Sequence, residues 1–113
     1  MAHLPEWAND KNIQKLASLQ PELFQKFVDF EQAVYRPGSL SAKFKELIAV
    51  GVTHVTQCDL CIAYHTRKAQ EAGATEQEIA EAVFVAMELR ARAALGHFTV
   101  SAREMQRHQH NSR

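Results

Sequence analysis

Four glycines and three prolines are all the backbone punctuation that this 113-residue chain carries. Pro21, the run Arg36-Pro37-Gly38-Ser39, and Gly73 separate segments in which apolar residues recur at three- and four-residue steps. That spacing places side chains on one face of an α-helix, and no period-two alternation of a strand accompanies it. A chain so patterned folds as helices that end at its breakers. The fold class read from the sequence is therefore all-α.

A first helical stretch runs from about Asp10 to Leu19. Pro21 suits the first turn of a second helix, to about Tyr35, because proline lacks only a donor that would be unpaired there anyway. Leu23, Phe27, Phe30 and Val34 define its expected buried stripe. Ser41 can cap a third helix by accepting a backbone N–H. Phe44, Leu47, Ile48, Val50, Val52 and Val55 make that helix apolar nearly all round, which predicts a central position. A fourth helix runs from near Cys58 to about Ala72, with Gly73 as a left-handed stop.

Thr75-Glu76-Gln77-Glu78 reads as a capping box in which Thr75 and Glu78 satisfy each other's backbone donors. The helix it opens is expected over about Glu76 to Leu95, with Gly96 breaking or bending it before a last segment, His97 to about Arg107. The polar tail beyond is expected to fray. Ile79, Ala82, Val83, Ala86 and Met87 share one face of this long helix, and Phe84, Val85 and Ala91 extend its apolar surface to another. A chain this short has limited interior. Two apolar faces on one helix therefore suggest burial between subunits.

The chain is read as one domain, residues 1–113, with its core over about 41–95. A hydrophobic content of 46% and a net charge of zero fit a folded globular protein and give no electrostatic reason to expect nucleic acid or an anionic membrane as partner. The longest apolar runs are far too short to cross a bilayer, and the polar N-terminus lacks the apolar stretch of a signal peptide. The expected location is cytoplasmic. In that compartment a close cysteine pair points to redox, catalytic or metal chemistry before a structural staple.

The only two cysteines stand in the run Cys58-Asp59-Leu60-Cys61-Ile62-Ala63-Tyr64-His65. At about 100° per residue, Cys58, Cys61 and His65 fall within roughly 60° of one another on a helix. Two features favour the reactive thiolate. Cys58 lies at a helix N-terminus, where free N–H groups carry partial positive charge. His65, one turn after Cys61, can accept a thiol proton. A dithiol so placed can pass from sulfenic acid to a Cys58–Cys61 disulfide, and an external dithiol must then reopen it by exchange. Glu46, on the preceding helix, is the candidate for reorienting His65 and handling the proton of the leaving oxygen.

Other readings of these residues stand beside this one. The cysteines could simply pack an apolar helix. A zinc ion could take Cys58, Cys61 and His65, with His54 or Glu46 fourth, although no second Cys/His pair follows downstream. His54 is otherwise a supporting group behind the site or a hydrogen-bonded core histidine.

The spacing of Glu46, eleven intervening residues, then Cys58-x-x-Cys61-x-x-x-His65 resembles the alkylhydroperoxidase D-like proteins of the carboxymuconolactone decarboxylase superfamily. The continuation His65-Thr66-Arg67-Lys68-Ala69, then Gly73-Ala74-Thr75 and Glu78-Ile79, is similar too. The resemblance covers about Ser41 to Leu95. It implies a compact five-to-six-helix fold whose helices interlock between subunits, commonly in trimers or hexamers. It also implies reduction of a hydroperoxide, with Cys61 attacking, Cys58 resolving and exchanging, His65 as base and Glu46 completing a proton relay. No bound cofactor or metal is implied, and a thiol or dithiol electron donor is. Where the founding peroxidase has a histidine before its second cysteine, this chain has Leu60, which implies a shorter relay and a lower peroxidase rate. The decarboxylase branch, a lyase reading, does not depend on the cysteine pair. A non-enzymatic redox sensor is the remaining alternative.

Overall fold

The structure, a computed structural model, describes residues 5–111. The first four residues of the N-terminal stretch and the last two of the tail lie outside the described residues. A 3-10 turn, Glu6–Asn9, leads into five helices: α1 (Lys11–Leu19), α2 (Pro21–Tyr35), α3 (Ala42–Thr56), α4 (Asp59–Glu71) and α5 (Glu76–Asn111). No strand occurs among the described residues.

The helix ends follow local chemistry. The Asp10 carboxylate accepts from the N–H groups of Asn12 (2.8 Å) and Ile13 (3.3 Å), capping α1. Pro21 opens α2, and Ser41 Oγ accepts from the Phe44 N–H at the head of α3. Gln57, with φ at +61°, turns the chain sharply from α3 toward α4. Thr75 and Glu78 exchange their two capping bonds at 2.9 and 3.1 Å.

The central helix is α3, which packs against α4 on one side and the first half of α5 on the other. Its inward positions Glu46, Ala49, Val50 and Thr53 are buried. The N-terminal turn ties α2 to α4. Trp7 lies edge-on to Phe24 and Phe27 and donates to Glu31 at 3.0 Å, while Glu6 pairs with Arg67.

Three expectations are corrected. The stripe Leu23, Phe27, Phe30 and Val34 is exposed, not buried; α2 instead turns Val28 inward, with Phe24, Glu31 and Tyr35 half-buried beside it. The helix carries two apolar faces, and the bond from Trp7 to Glu31 selects the other one. Gly96 does not break α5, which continues as one helix of 36 residues. A glycine inside a helix costs only about 1 kcal/mol relative to alanine, and the helix-forming residues on either side outweigh it. For the same reason the polar tail stays helical to Asn111.

The interior of a single chain is thin. Its buried apolar residues are mostly alanines, and Val28 and Val50 are the largest side chains fully enclosed. The radius of gyration is 20.0 Å, against about 13 Å for a compact domain of this length. The cause is α5, whose second half extends past α3 with Leu95, Phe98 and Val100 exposed. Among the described residues no helix is long and apolar enough to cross a membrane.

Candidate functional site

The α3–α4 pair builds the site. Glu46 sits in the second turn of α3 and is only 6% exposed. A buried carboxylate is costly unless paired, and here its Oε2 is 2.7 Å from His65 Nδ1. An ionised carboxylate only accepts, so Nδ1 carries the proton and donates. That assignment leaves Nε2 as the nitrogen able to take or give a proton.

Cys58 is the N-cap of α4, and its Sγ accepts from the Cys61 N–H at 3.3 Å. The two cysteines are joined in a disulfide, with their Cα atoms 5.2 Å apart. Both are half-buried, so their sulfurs are neither sealed in hydrocarbon nor fully solvated. The sharp reversal at Gln57 is what puts Cys58 at the head of α4. His65 follows Cys61 by one turn, on the side of α4 that faces α3.

Two aromatic rings close around the imidazole. Tyr35, the last residue of α2, stacks on it at 5.1 Å between centroids with planes 29° apart. Tyr64 meets it edge-on at 5.0 Å and 82°. Burial pushes both phenols above their ordinary range, and the carboxylates of Glu46 and Glu31 push the same way. Both tyrosines therefore stay neutral through neutral pH. Neither was singled out from the sequence. Tyr64 adjoins His65 in the chain, which was the one available signal; Tyr35 lies thirty residues away.

The structure brings Glu46 directly onto His65 and joins Cys58 to Cys61. The His54 ring donates from Nδ1 to the Val50 carbonyl one turn back in its own helix, at 2.7 Å. Leu60 is half-exposed in the first turn of α4. No group of three or more His, Cys, Asp or Glu side chains converges on a point that could hold a metal, among the described residues.

Two cavities flank α3. A polar cleft of about 420 Å³ has Tyr35, Arg36, Tyr64 and Lys68 on its walls and reaches Glu46. An apolar groove of about 750 Å³ runs between α3 and α5, lined by Phe44, Ile48, Val52, Val85 and Leu89. The larger cavity contains none of the site residues, so size alone does not mark the chemistry.

The chain is similar over most of its length to known proteins. Uncharacterized protein 4 in the cox locus of Paracoccus denitrificans is 46% identical over 71 residues, which are 63% of this chain and 64% of that protein. The chain thus matches somewhat less than two thirds of that relative's length. A solved structure from Methanobacterium thermoautotrophicum shares 39% identity, with 77% of this chain and 96% of the other superposed at a TM-score of 0.69. A second, from Thermotoga maritima, is described as a carboxymuconolactone decarboxylase family protein with a suggested part in antioxidative response. It is 36% identical over 75% of this chain and 94% of its own, with a TM-score of 0.58. The profile of the carboxymuconolactone decarboxylase family matches residues 21–99, a span holding the cysteine pair, Glu46, His65 and both tyrosines. By that match, over more than half its length, this chain belongs to the carboxymuconolactone decarboxylase family.

Proposed function

We propose that this protein is a thiol-dependent oxidoreductase that reduces hydroperoxides through a Cys58/Cys61 dithiol–disulfide cycle. The observation that carries the reading is a disulfide at the head of a helix, one turn from an imidazole held by a buried carboxylate. The antioxidative response suggested for the Thermotoga maritima relative points the same way.

In the reduced protein the Cys61 thiolate attacks one oxygen of the hydroperoxide. An S–O bond forms, the O–O bond breaks, and the alkoxide leaves as alcohol with a proton from His65 Nε2. The Cys58 thiolate then attacks the Cys61 sulfur. The S–S bond forms and hydroxide leaves as water after protonation. Glu46, bonded to Nδ1, stabilises the imidazolium and keeps Nε2 as the working nitrogen. An external dithiol attacks Cys58, the sulfur at the helix end, releases Cys61 as thiolate, and departs as its own disulfide, leaving both protein thiols reduced.

The same reading includes assembly. The apolar groove between α3 and α5 and the outer half of α5 are proposed to be covered by further copies of the chain in a trimer or hexamer. An exposed apolar surface this extensive marks an interaction face.

Stoichiometric peroxide consumption by the reduced protein tests the chemistry. One equivalent should vanish, with a two-hydrogen mass loss mapped to the 58–61 peptide, and Cys61→Ser should abolish turnover. Full activity in the Cys61→Ser protein sinks the mechanism. Decarboxylation of a lactone dicarboxylate that survives replacement of both cysteines would select the lyase branch.

A further inference from the structure

Glu46 holds one atom of the His65 ring, and a hydrogen bond to one atom leaves a ring free to hinge. The terminal torsion of histidine is intrinsically broad, so the imidazole needs a second constraint. Tyr35 supplies a face, at 5.1 Å and 29°, and Tyr64 an edge, at 5.0 Å and 82°. Tyr64 is the chain neighbour of His65 and moves with it. Tyr35 comes from a different helix and is the external restraint.

A helix-terminal residue ordinarily frays, but this terminus is fastened. Lys45 Nζ donates to the carbonyls of Val34, at 2.8 Å, and Arg36, at 2.5 Å, on either side of Tyr35. A cation on the last carbonyls of a helix also meets the negative end of its dipole. Lys45 precedes Glu46 in α3. The same turn of α3 therefore holds the imidazole twice, through the Glu46 carboxylate and through the end of α2.

We propose that Tyr35 is a positioning residue, its ring locking the His65 imidazole so that Nδ1 stays on Glu46 and Nε2 alone serves proton transfer. The role rests on the part given to His65 in the peroxidase reading. It adds what keeps that histidine in register: the aromatic face of Tyr35, not its hydroxyl.

Tyr35→Phe keeps the face and loses the hydroxyl; Tyr35→Leu keeps apolar bulk and loses the face. Long-range proton–nitrogen spectra of the His65 ring and single-turnover reduction of a small alkyl hydroperoxide across pH are the two readouts. In the disulfide form the wild type and Tyr35→Phe should show one ring state with the proton on Nδ1, and after reduction closely similar rate profiles. Tyr35→Leu should show averaged ring nitrogens and react about tenfold more slowly, as expected for a misplaced proton donor, with an altered pH profile. A folded Tyr35→Leu protein with native ring signals and native rates overturns the proposal. If that variant does not fold, Tyr35→Met, whose flexible chain can refill the gap, takes its place with the same two outcomes.

The ring spectra require no turnover. A wild type that consumes no peroxide defeats the peroxidase reading and leaves the ring result to decide on Tyr35. A working peroxidase whose Tyr35→Leu form is unchanged in both readouts defeats the positioning role alone.

Discussion

The two faces of α3 meet different fates although both are rich in small and apolar residues. Toward α4 lie Ala49, Val50, Thr53 and the one carboxylate, Glu46, all buried. Toward the groove lie Phe44, Ile48 and Val52, each more than half exposed in a single chain. The larger side chains are thus on the open face and the smaller ones, with the charge, on the closed face. Hydrophobicity alone does not explain this. The closed face is short-range architecture, in which Gln57 folds α4 straight back onto α3 and small residues let the helices approach. The open face has the composition of an interior but lacks the atoms to cover it. Chemistry is proposed for the face that one chain completes, and assembly for the face that it does not.

That contrast can be broken most forcefully at Val52. On a free surface a substitution there changes stability by less than about 0.5 kcal/mol. If the groove is covered by another copy, Val52→Asp buries an unpaired charge and is expected to cost more than about 3 kcal/mol, with sedimentation showing separation into single chains. An unchanged mass and melting temperature would return this face to solvent.

The site face should respond to Glu46→Gln in rate more than in stability. The amide can still accept from Nδ1, so the fold is expected to persist, while loss of the charge behind the imidazole slows peroxide reduction about tenfold or more. Single-turnover kinetics beside a melting curve separates the two effects.

A smaller effect appears at high pH. Burial, then Glu46 and Glu31, raise the Tyr35 phenol above its unfolded value, so the folded state favours the neutral form. The stability this contributes is full below the unfolded value, near pH 10, and is lost as pH rises through the higher folded value. Tyr64 behaves likewise. Denaturant unfolding through the alkaline range should show a decline that is shallower in Tyr35→Phe; equal slopes would contradict it.

The smallest change is expected at the head of α5. Thr75→Ala should cost about 1 kcal/mol. The Thr75 backbone N–H, then Lys43, hold the Glu78 carboxyl below its usual range. Its contribution is therefore present above the unfolded carboxylate value and fades as pH falls through the folded one. The melting difference between Glu78→Gln and wild type should vanish in acid.

The helix boundaries were legible because caps are local. Pro21, Ser41 and the Thr75–Glu78 box each act within three residues, and each stands where the sequence put it. The α2 stripe was misread because that helix offers two apolar faces, and periodicity cannot choose between them. The choice fell to Trp7 and Glu31, joined across 24 positions. Gly96 misled because a single glycine lowers helix propensity without forbidding a helix.

By itself the sequence determined an all-helical chain, the places where its helices begin, and a cysteine pair at the head of one with a histidine a turn away. Those are consequences of spacing along one helix and of bonds spanning a few residues. Only the tertiary structure decided that Glu46 would be buried on His65, that His54 would bond within its own helix, and that Tyr35 would lie across the imidazole. Each depends on how α2, α3 and α4 pack. A carboxylate nineteen residues from its partner has no local reason to be buried until the fold removes its water and offers one donor in exchange.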